Sequence, residues 1–343
     1  MTVKRDLKRI IRARMARTGE PFVTARSHVL RARREQQGGD AAAQTGAPGS
    51  APAAAEPRPR SREGARLEAA VIRRGTRTAR VRVLATGEQI TVRARDLWHV
   101  MPGHVVTLAL QRRWRHRGQL YAEGEVSEVR IDVPALGLLP LRVEERGAFI
   151  AESATEAADV ADLADMAEAL QELRARLTAT PRVAYEMEQV LPGTAAGSGF
   201  DPILAAVDRK RRGDVAGAVR LLMDLLTEDL RCLDAHAHLG NLVFPSYPEH
   251  ALIHYEIGAA IGEHALGPTF AGALPWSLLD NRPFLRCLHG QGLALWRLER
   301  MEEAARVFER LLWLNPADGQ GAGRCWAEVQ AGRPWQEDEG TPA

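Results

Sequence analysis

The sequence predicts an α+β protein of several domains, with a basic helical arm, a small five-stranded β-barrel and a C-terminal α-helical solenoid of repeats. Three observations lead to this prediction. Apolar residues recur at helical spacing near the N-terminus and again through the last third of the chain. Between these parts, apolar and polar residues alternate over 66–132, as in short strands. A chain of 343 residues is also longer than one ordinary domain.

Charge is distributed unevenly along the chain. The formal net charge is only +2, but residues 1–66 carry 15 Lys or Arg against 6 Asp or Glu, and residues 67–131 carry 12 against 6. The remaining residues carry 19 basic and 32 acidic side chains. A basic front and an acidic back indicate one part that meets polyanions and another that meets a different partner. Alternatively, the two halves attract each other and fold together.

The length of the apolar stretches and the number of cysteines indicate in which cellular compartment the protein is expected. The longest apolar stretches are shorter than the roughly 18 residues that a membrane helix needs, and the N-terminus lacks the apolar stretch of a secretory signal. Three cysteines are too few for a disulfide scaffold and indicate a reducing environment. We therefore expect a cytoplasmic protein that has no membrane partner.

Residues 1–35 predict a basic helical hairpin. Its first helix has an apolar face made of Val3, Leu7, Ile10, Ile11 and Met15. Residues 36–65 are rich in Ala, Gly, Pro and Ser and predict a flexible linker. The arm is expected to dock on RNA, DNA or an acidic protein, or to fold back on its own chain.

Residues 66–132 predict five short strands that close into a small barrel. The segments GEQITVRARD, MPGHVVTLAL and RRWRHRGQLYAEGEV follow one another with short turns between strands. In this spacing the region resembles the five-stranded OB fold of bacterial translation initiation factor one and its relatives. That resemblance implies an oligonucleotide or oligosaccharide ligand. An SH3-like barrel explains the same pattern.

The predicted nucleic-acid site is a run in which cations alternate with aromatic residues. Aromatic rings stack on bases and guanidinium groups bind phosphates, which is how such barrels hold single strands. The candidate residues are Arg112, Arg113, Trp114, Arg115, Arg117 and Tyr121. In the alternative interpretation, the two aromatic side chains fill the barrel and the arginines form a solvated hairpin tip.

Residues 133–200 predict a connector that contains one acidic helix over 158–177. The segment 133–157 shows no regular period, and 180–200 has the composition of a linker. Within the latter, the apolar residues suit an extended segment docked on a neighbouring element; they are Tyr185, Met187, Val190 and Leu191.

Internal repetition is the strongest signal in residues 201–335. Small and apolar residues recur with a 34-residue period; Gly292, Ala304, Phe308 and Pro316 are in register, and Ala206, Ala218, Leu239 and Gly240 precede them. Residues 201–330 thus resemble the tetratricopeptide-repeat family. The phrase DNRPFLRCLHGQGLALWRL and the layout of the chain are similar to a group of uncharacterised bacterial proteins that carry such repeats and are described as cytoplasmic. The family resemblance implies stacked helical hairpins and a groove that binds a protein partner.

Candidate partner-binding residues come from that groove and from an insertion at 266–285. The resemblance places Asn241, Arg286, His289 and Trp296 in the groove. A long irregular loop in a solenoid is often part of its binding face, which adds Trp276, Asp280, Asn281 and Arg282. In the alternative interpretation the insertion is a structural lid, in which Asp280 caps the next helix and Pro283 occupies its first turn.

No catalytic or cofactor motif is found in the sequence. It has no phosphate-binding loop, dinucleotide fingerprint, nucleophile elbow or CxxC pair. Histidines and cysteines at 232, 236, 238, 250 and 254 have the spacing of ligands, but buried positions in repeats explain them better than a metal site. We expect no cofactor, no metal and no enzymatic activity.

Together these features predict a non-enzymatic cytosolic adaptor. Its repeats would bind a protein partner, and its barrel and arm would contact nucleic acid, for which RNA is one candidate. The alternative is a pure protein-interaction module whose basic part packs on its own acidic repeats. An enzyme is the third interpretation, and it would need convergent polar groups around Asp280, Arg282, Arg286 and His289.

Overall fold

A computed structural model describes residues 66–149, 164–193 and 201–336. The chain separates into two compact units, Met1–Arg60 and Ser61–Ala343, and every described residue belongs to the second. The helical hairpin predicted at 1–35 and the linker at 36–65 lie outside the described residues. The structure has the predicted α+β composition, with a closed five-stranded barrel and, within the described ranges, nine α-helices.

The barrel is formed by the strands predicted between 66 and 132. These strands are β1 (Arg66–Arg74), β2 (Thr78–Val83), β3 (Gln89–Arg93), β4 (Val105–His116) and β5 (Gln119–Arg130). The sheet closes in the order β1-β2-β3-β5-β4, and β4 pairs with β1. Only β3 and β5 run parallel; the other pairs are antiparallel.

Alternation, most regular along β2 and β3, separates the barrel interior from its surface. Buried aliphatic residues such as Val81, Ile90 and Leu108 point inward and form one core. A β-bulge at Gln111 interrupts this alternation, because the register passes from Leu110 opposite Gly124 to Arg112 opposite Glu123. The extra residue reverses the faces of the following part of β4.

The connector contains more regular structure than its sequence predicts. It holds α1 (Val133–Leu136), β6 (Val143–Phe149), α2 (Ala164–Thr178) and β7 (Arg182–Met187). The helix α2 overlaps the predicted acidic helix and ends one residue beyond it, whereas strand β6 and its antiparallel pairing with β7 were not predicted. Strand β6 is mostly exposed and highly charged, so it lacks the apolar alternation that marks a strand.

Residues 201–336 form three successive helix pairs and a final helix. The pairs are α3 (Pro202–Arg211) with α4 (Val215–Glu228), α5 (Leu233–Val243) with α6 (Pro248–Leu266), and α7 (Arg282–Arg297) with α8 (Met301–Leu314), followed by α9 (Ala322–Gln330). Each helix from α3 to α9 packs on the next, and α5 also packs on α7. A 3₁₀ turn, Leu279–Asn281, precedes α7.

Small residues allow the helices to approach closely. A Cβ added at Gly240 in α5 would collide with the ring of Tyr255 in α6, and a Cβ at Gly292 in α7 would collide with Phe308 in α8. The same small-against-aromatic contact therefore recurs in successive pairs. Gly258 of α6 allows a similarly close contact with Cys287 of α7, which joins one pair to the next.

The barrel packs on the helices within this unit. Strand β1 contacts α4, and α1 contacts α6. Gly103, with φ of +99°, lies against Ile257 of α6, and the backbone there has no space for a side chain. An exposed ion pair of 3.4 Å links Arg73 of the barrel to Asp224 of α4. None of the helices in the described ranges combines the length and the apolar character needed to cross a bilayer.

Candidate nucleic-acid interface on the barrel

Trp114 and Tyr121 form a stacked pair on the outer surface of the barrel. They lie directly opposite each other on β4 and β5, with ring centroids 5.7 Å apart and an angle of 14° between the planes. Both side chains are partly exposed, and neither belongs to the barrel core. The alternative in which these rings fill the barrel is therefore wrong, because the bulge at Gln111 turns Trp114 outward.

Two exposed guanidinium groups lie beside this pair. The Arg112 guanidinium carbon is 5.4 Å from the centroid of Trp114, and that of Arg93 is 5.9 Å away. Such cation–π contacts hold the guanidinium groups close to the aromatic surface. Sequence analysis missed Arg93. Its position next to the buried Val92, and two residues after Thr91 on β3, could have placed it on the outer face.

The strand register extends this surface across four strands. One row runs Arg80, Thr91, Tyr121 and Trp114 from β2 to β4, and the next runs Thr78, Arg93, Glu123 and Arg112. We call these eight residues the platform. Glu123 is its only acidic member and, among the described residues, forms no ion pair with Arg93 or Arg112.

Arg113 and Arg115 point away from the platform. Their guanidinium groups approach the carboxylate of Glu88, in the turn between β2 and β3, at 2.5 Å and 3.5 Å. Side chains alternate along β4, so these two arginines occupy the face opposite to that of Arg112 and Trp114. The predicted basic run is thus divided between two sides of one hairpin.

Arg117 occupies the tip of that hairpin in a left-handed conformation. Its φ is 49° and that of Gly118 is 76°, which is the pattern of a two-residue type I′ turn. Asn or Gly is the usual residue at such a position, and a bulky side chain there is uncommon. Arg117 is exposed, and no described carboxylate pairs with it. The same holds for Arg80, Arg93 and Arg112 of the platform.

The predicted partner-binding residues in the helices are held by internal contacts. Asn241 accepts a hydrogen bond of 2.6 Å from the hydroxyl of Tyr255, and Arg286 forms an ion pair of 3.1 Å with the buried Asp234. The indole Nε1 of Trp296 donates to the carbonyl of Arg333 at 2.8 Å. His289 is largely buried, and burial lowers the pKa of its imidazole to about 4.

The insertion behaves largely as the structural lid of the alternative interpretation. Arg282 donates to the carbonyl of Trp276 at 2.9 Å and lies 5.0 Å from the centre of that indole. Pro283 occupies the first turn of α7, as that interpretation predicts, but Asp280 does not cap the helix, since Asn281 holds the N-cap position. Burial raises the pKa of Asp280, and the nearby Glu186 adds to the effect.

An extended segment of the chain itself is anchored at the N-terminal ends of α5 and α7. Asn281 accepts from the backbone N–H of Met187 at 2.8 Å and donates to the carbonyl of Tyr185 at 2.9 Å. Further along, the amide of Gln189 donates to Asp234 at 2.5 Å. We call residues 182–191 the strap. Its docking confirms the extended segment predicted there.

The histidines and cysteines that have ligand-like spacing are dispersed or buried in packing. His236 and His254 are almost fully buried 6.3 Å apart, and burial lowers the pKa of His236 to about 4 and of His254 to about 3. Burial raises the pKa of Cys232 to about 12, so its thiol stays protonated. Across the described ranges, no three His, Cys, Asp or Glu side chains converge to hold a metal ion.

Comparison of the chain with protein-family models, with curated proteins and with solved structures found no match.

Proposed function

We propose that this protein is a non-enzymatic cytoplasmic adaptor whose barrel binds single-stranded nucleic acid and whose helices bind a protein partner. The observation that carries the nucleic-acid part is the stacked Trp114–Tyr121 pair beside unpaired guanidinium groups. Aromatic rings that stack on bases, within a positively charged surface, are what sequence-tolerant single-strand binding requires.

We further propose that the barrel is of the OB type. The order β1-β2-β3-β5-β4, closed by β4 on β1, with a parallel β3–β5 pair, is the order of the OB fold, and it favours that fold over an SH3-like barrel. In OB barrels the face of the second and third strands and the loop between the fourth and fifth carry the ligand. The platform and the Arg117 turn occupy those positions.

For residues 201–335 we propose a tetratricopeptide-like array. The recurring contacts Gly240–Tyr255 and Gly292–Phe308 support it, because close packing of small residues within each hairpin is what such repeats require. The strap is docked at the N-terminal ends of α5 and α7, so a protein partner would either displace the strap there or bind elsewhere. Exposed apolar side chains on the first pair, such as Leu204, which is 61% exposed, offer another surface.

The nucleic-acid part is tested by fluorescence anisotropy with the full chain and labelled oligouridylate, over a titration of salt. Truncating Trp114 or Tyr121 to Ala should weaken binding by about 5- to 150-fold, since each stacked base contributes roughly 1–3 kcal/mol. Four unpaired cations predict a slope of log K against log salt of about −3, at roughly 0.7 per phosphate contact. Leu279→Ala, which removes an exposed apolar side chain on the insertion, is the matched control. Wild-type binding that ignores both ring truncations would refute the assignment.

The alternative, in which the basic part of the chain packs on its own acidic repeats, has less support from the run at 112–117. That interpretation requires ion pairs from residues 112–117 to residues 201–335. The ion pairs that the run does make go to Glu88, within the barrel. Substituting Glu88 by Gln would raise oligonucleotide affinity if the run serves nucleic acid, because Arg113 and Arg115 would then be free to contact phosphates.

A further inference from the structure

A second aromatic surface lies where the barrel meets the helices. Trp98 belongs to the segment between β3 and β4, and Tyr247 and His250 lie at the start of α6. The rings follow one another in a row, with centroids 5.3 Å apart for Trp98 and His250 and 5.7 Å apart for Tyr247 and His250. The two outer rings are conspicuously accessible, since Trp98 is 53% exposed and Tyr247 59% exposed.

Both exposed rings are displayed by well-anchored backbone. Leu97 and Val100, on either side of Trp98, are buried in the barrel core, and the N–H of Val100 bonds to the carbonyl of Leu97 at 3.1 Å. The N–H of Tyr247 bonds to the carbonyl of Val243 at 2.8 Å, and Pro248 fixes the first turn of α6. Rings on rigid elements can bind without first losing conformational entropy, which is typical of binding surfaces.

The charge around this row is suited to phosphates. Thr78, at the start of β2, pairs with Arg93, at the end of β3. Arg77 precedes β2 and Arg95 follows β3, so both lie at the end of these strands that leads to Trp98. Both arginines are exposed, and neither has an ion-pair partner among the described residues. Two acidic side chains lie close to the row of rings in the sequence. Asp96 is 3.8 Å from His99, and Glu249 comes two residues after Tyr247.

The second surface lies a few residues along the chain from the platform. The guanidinium of Arg93 lies over Trp114, and Arg95 follows two residues later, at a bend between β3 and Trp98. Only five residues separate Arg93 from Trp98, which limits their separation to about 17 Å at roughly 3.4 Å per residue. Single-strand sites on such barrels cover about 4–16 nucleotides, so one strand can reach both surfaces.

We propose that single-stranded nucleic acid held by the platform continues off the barrel onto α6, where Trp98 and Tyr247 stack further bases. This inference rests on the proposed nucleic-acid function and adds to it a role for the helical part. The site would be composite, so the barrel and α6 would have to stay docked for full affinity. Arg77 and Arg95 would hold the phosphates between the two aromatic surfaces.

The test uses the full chain with oligouridylates of 6 and 12 nucleotides, the shorter one measured by competition. Trp98→Ala and Tyr247→Ala should each weaken the 12-mer by about 5- to 150-fold, and the gain from lengthening 6 to 12 nucleotides should largely disappear. Tyr247→Phe should retain affinity, because it keeps the ring. Leu279→Ala is the control, and the melting temperature of each variant checks that it is folded.

The outcomes separate this inference from the proposed function. Loss of 12-mer affinity in both the Trp114 and the Tyr247 variants supports the composite site. Loss in the Trp114 variant alone overturns the inference, leaves the barrel function standing and assigns the Trp98–Tyr247 surface to another partner. If the wild-type chain binds neither oligonucleotide, the proposed function fails and the inference fails with it. Photo-cross-linking of a thiouridine-labelled 12-mer should label α6 near Tyr247.

Discussion

Acidification from pH 7 to pH 5 is expected to remove most of the folding stability of this protein. Four histidines are largely buried. Burial lowers the imidazole pKa to about 4 in His104, His236 and His289, and to about 3 in His254. Neighbouring histidines strengthen the effect at His104, His236 and His254, and Arg74 adds to it at His254. Several ring nitrogens, including Nδ1 of His236 and of His254, have no partner in the described structure to stabilise a proton.

The sign and size follow from proton linkage. In the unfolded chain these histidines take up a proton near pH 6.5, while in the folded chain they stay neutral down to about pH 4. Below pH 6.5 the unfolded state therefore binds more protons, and stability falls as pH falls. Each histidine contributes about 1.4 kcal/mol per pH unit, which is about 2 kcal/mol at pH 5 and about 8 kcal/mol for four. A domain is typically stable by only about 5–15 kcal/mol.

Buried carboxyl groups act in the opposite direction at lower pH. Burial raises the pKa of Glu256 and of Asp318, so the folded state gains protons at these groups before the unfolded state does. That contribution begins as the pH falls through the raised folded-state pKa of these groups and is complete below their ordinary pKa. The histidines by themselves give their steepest loss of stability between pH 6.5 and pH 5.

Urea unfolding at pH 7, 6 and 5, followed by circular dichroism, measures this loss directly. The His254→Leu variant lacks one of the four groups, so its pH slope should fall from about 5 to about 4 kcal/mol per unit. Leu279→Ala, which removes an exposed side chain that does not titrate, is the control and should keep the wild-type slope. An unfolding free energy that is unchanged between pH 7 and pH 5, or a His254 imidazole that titrates near pH 6.5 by NMR, would refute the reasoning.

Three further predictions concern the strap, the hairpin tip and the thiols. Asn281→Ala should destabilise the protein by about 3 kcal/mol, because it leaves buried backbone groups of the strap without hydrogen-bond partners. The measurement is the urea midpoint, with Asn241→Ala as the comparison. An unchanged midpoint would contradict the role of Asn281 in holding the strap. Arg117→Asn should preserve or raise the melting temperature, since Asn suits a left-handed turn, yet reduce the salt slope of oligonucleotide binding by about 0.7. Cys232 should resist iodoacetamide at pH 8 in the native protein and react in urea, by mass spectrometry, because burial raises the pKa of its thiol to about 12; rapid native labelling would count against this burial.

The proposed nucleic-acid surface was predictable in composition but not in arrangement. The sequence showed the cations and aromatic residues between 112 and 121, and the structure brings Arg112, Trp114 and Tyr121 together. One inserted residue, Gln111, decides which of them share a face, and a bulge has no clear sequence signal. Arg80 and Arg93 join the platform only through the pairing of β2, β3 and β5, and such pairing is non-local.

The helical part shows the same division. The period of small residues predicted helix pairs, and the structure has close contacts at Gly240 and Gly292 within two of them. The partner-binding role inferred for Asn281 depended on an open face. In the structure the side chain of Asn281 instead binds the backbone of the strap, which lies almost a hundred residues earlier in the chain. No local pattern around Asn281 could indicate its partner.

By itself, the sequence determined the α+β class, the extent of the barrel, the helices of the last third and the uneven charge. These properties depend on hydrophobic period and composition, which act over a few neighbouring residues. Only the tertiary structure decided which arginines face Trp114, how the strap is anchored at the starts of α5 and α7, and that Trp98 meets His250 of α6. Those outcomes depend on strand register and on packing between segments that are distant in sequence. Alternative arrangements of these segments would bury different side chains while keeping the same local sequence pattern.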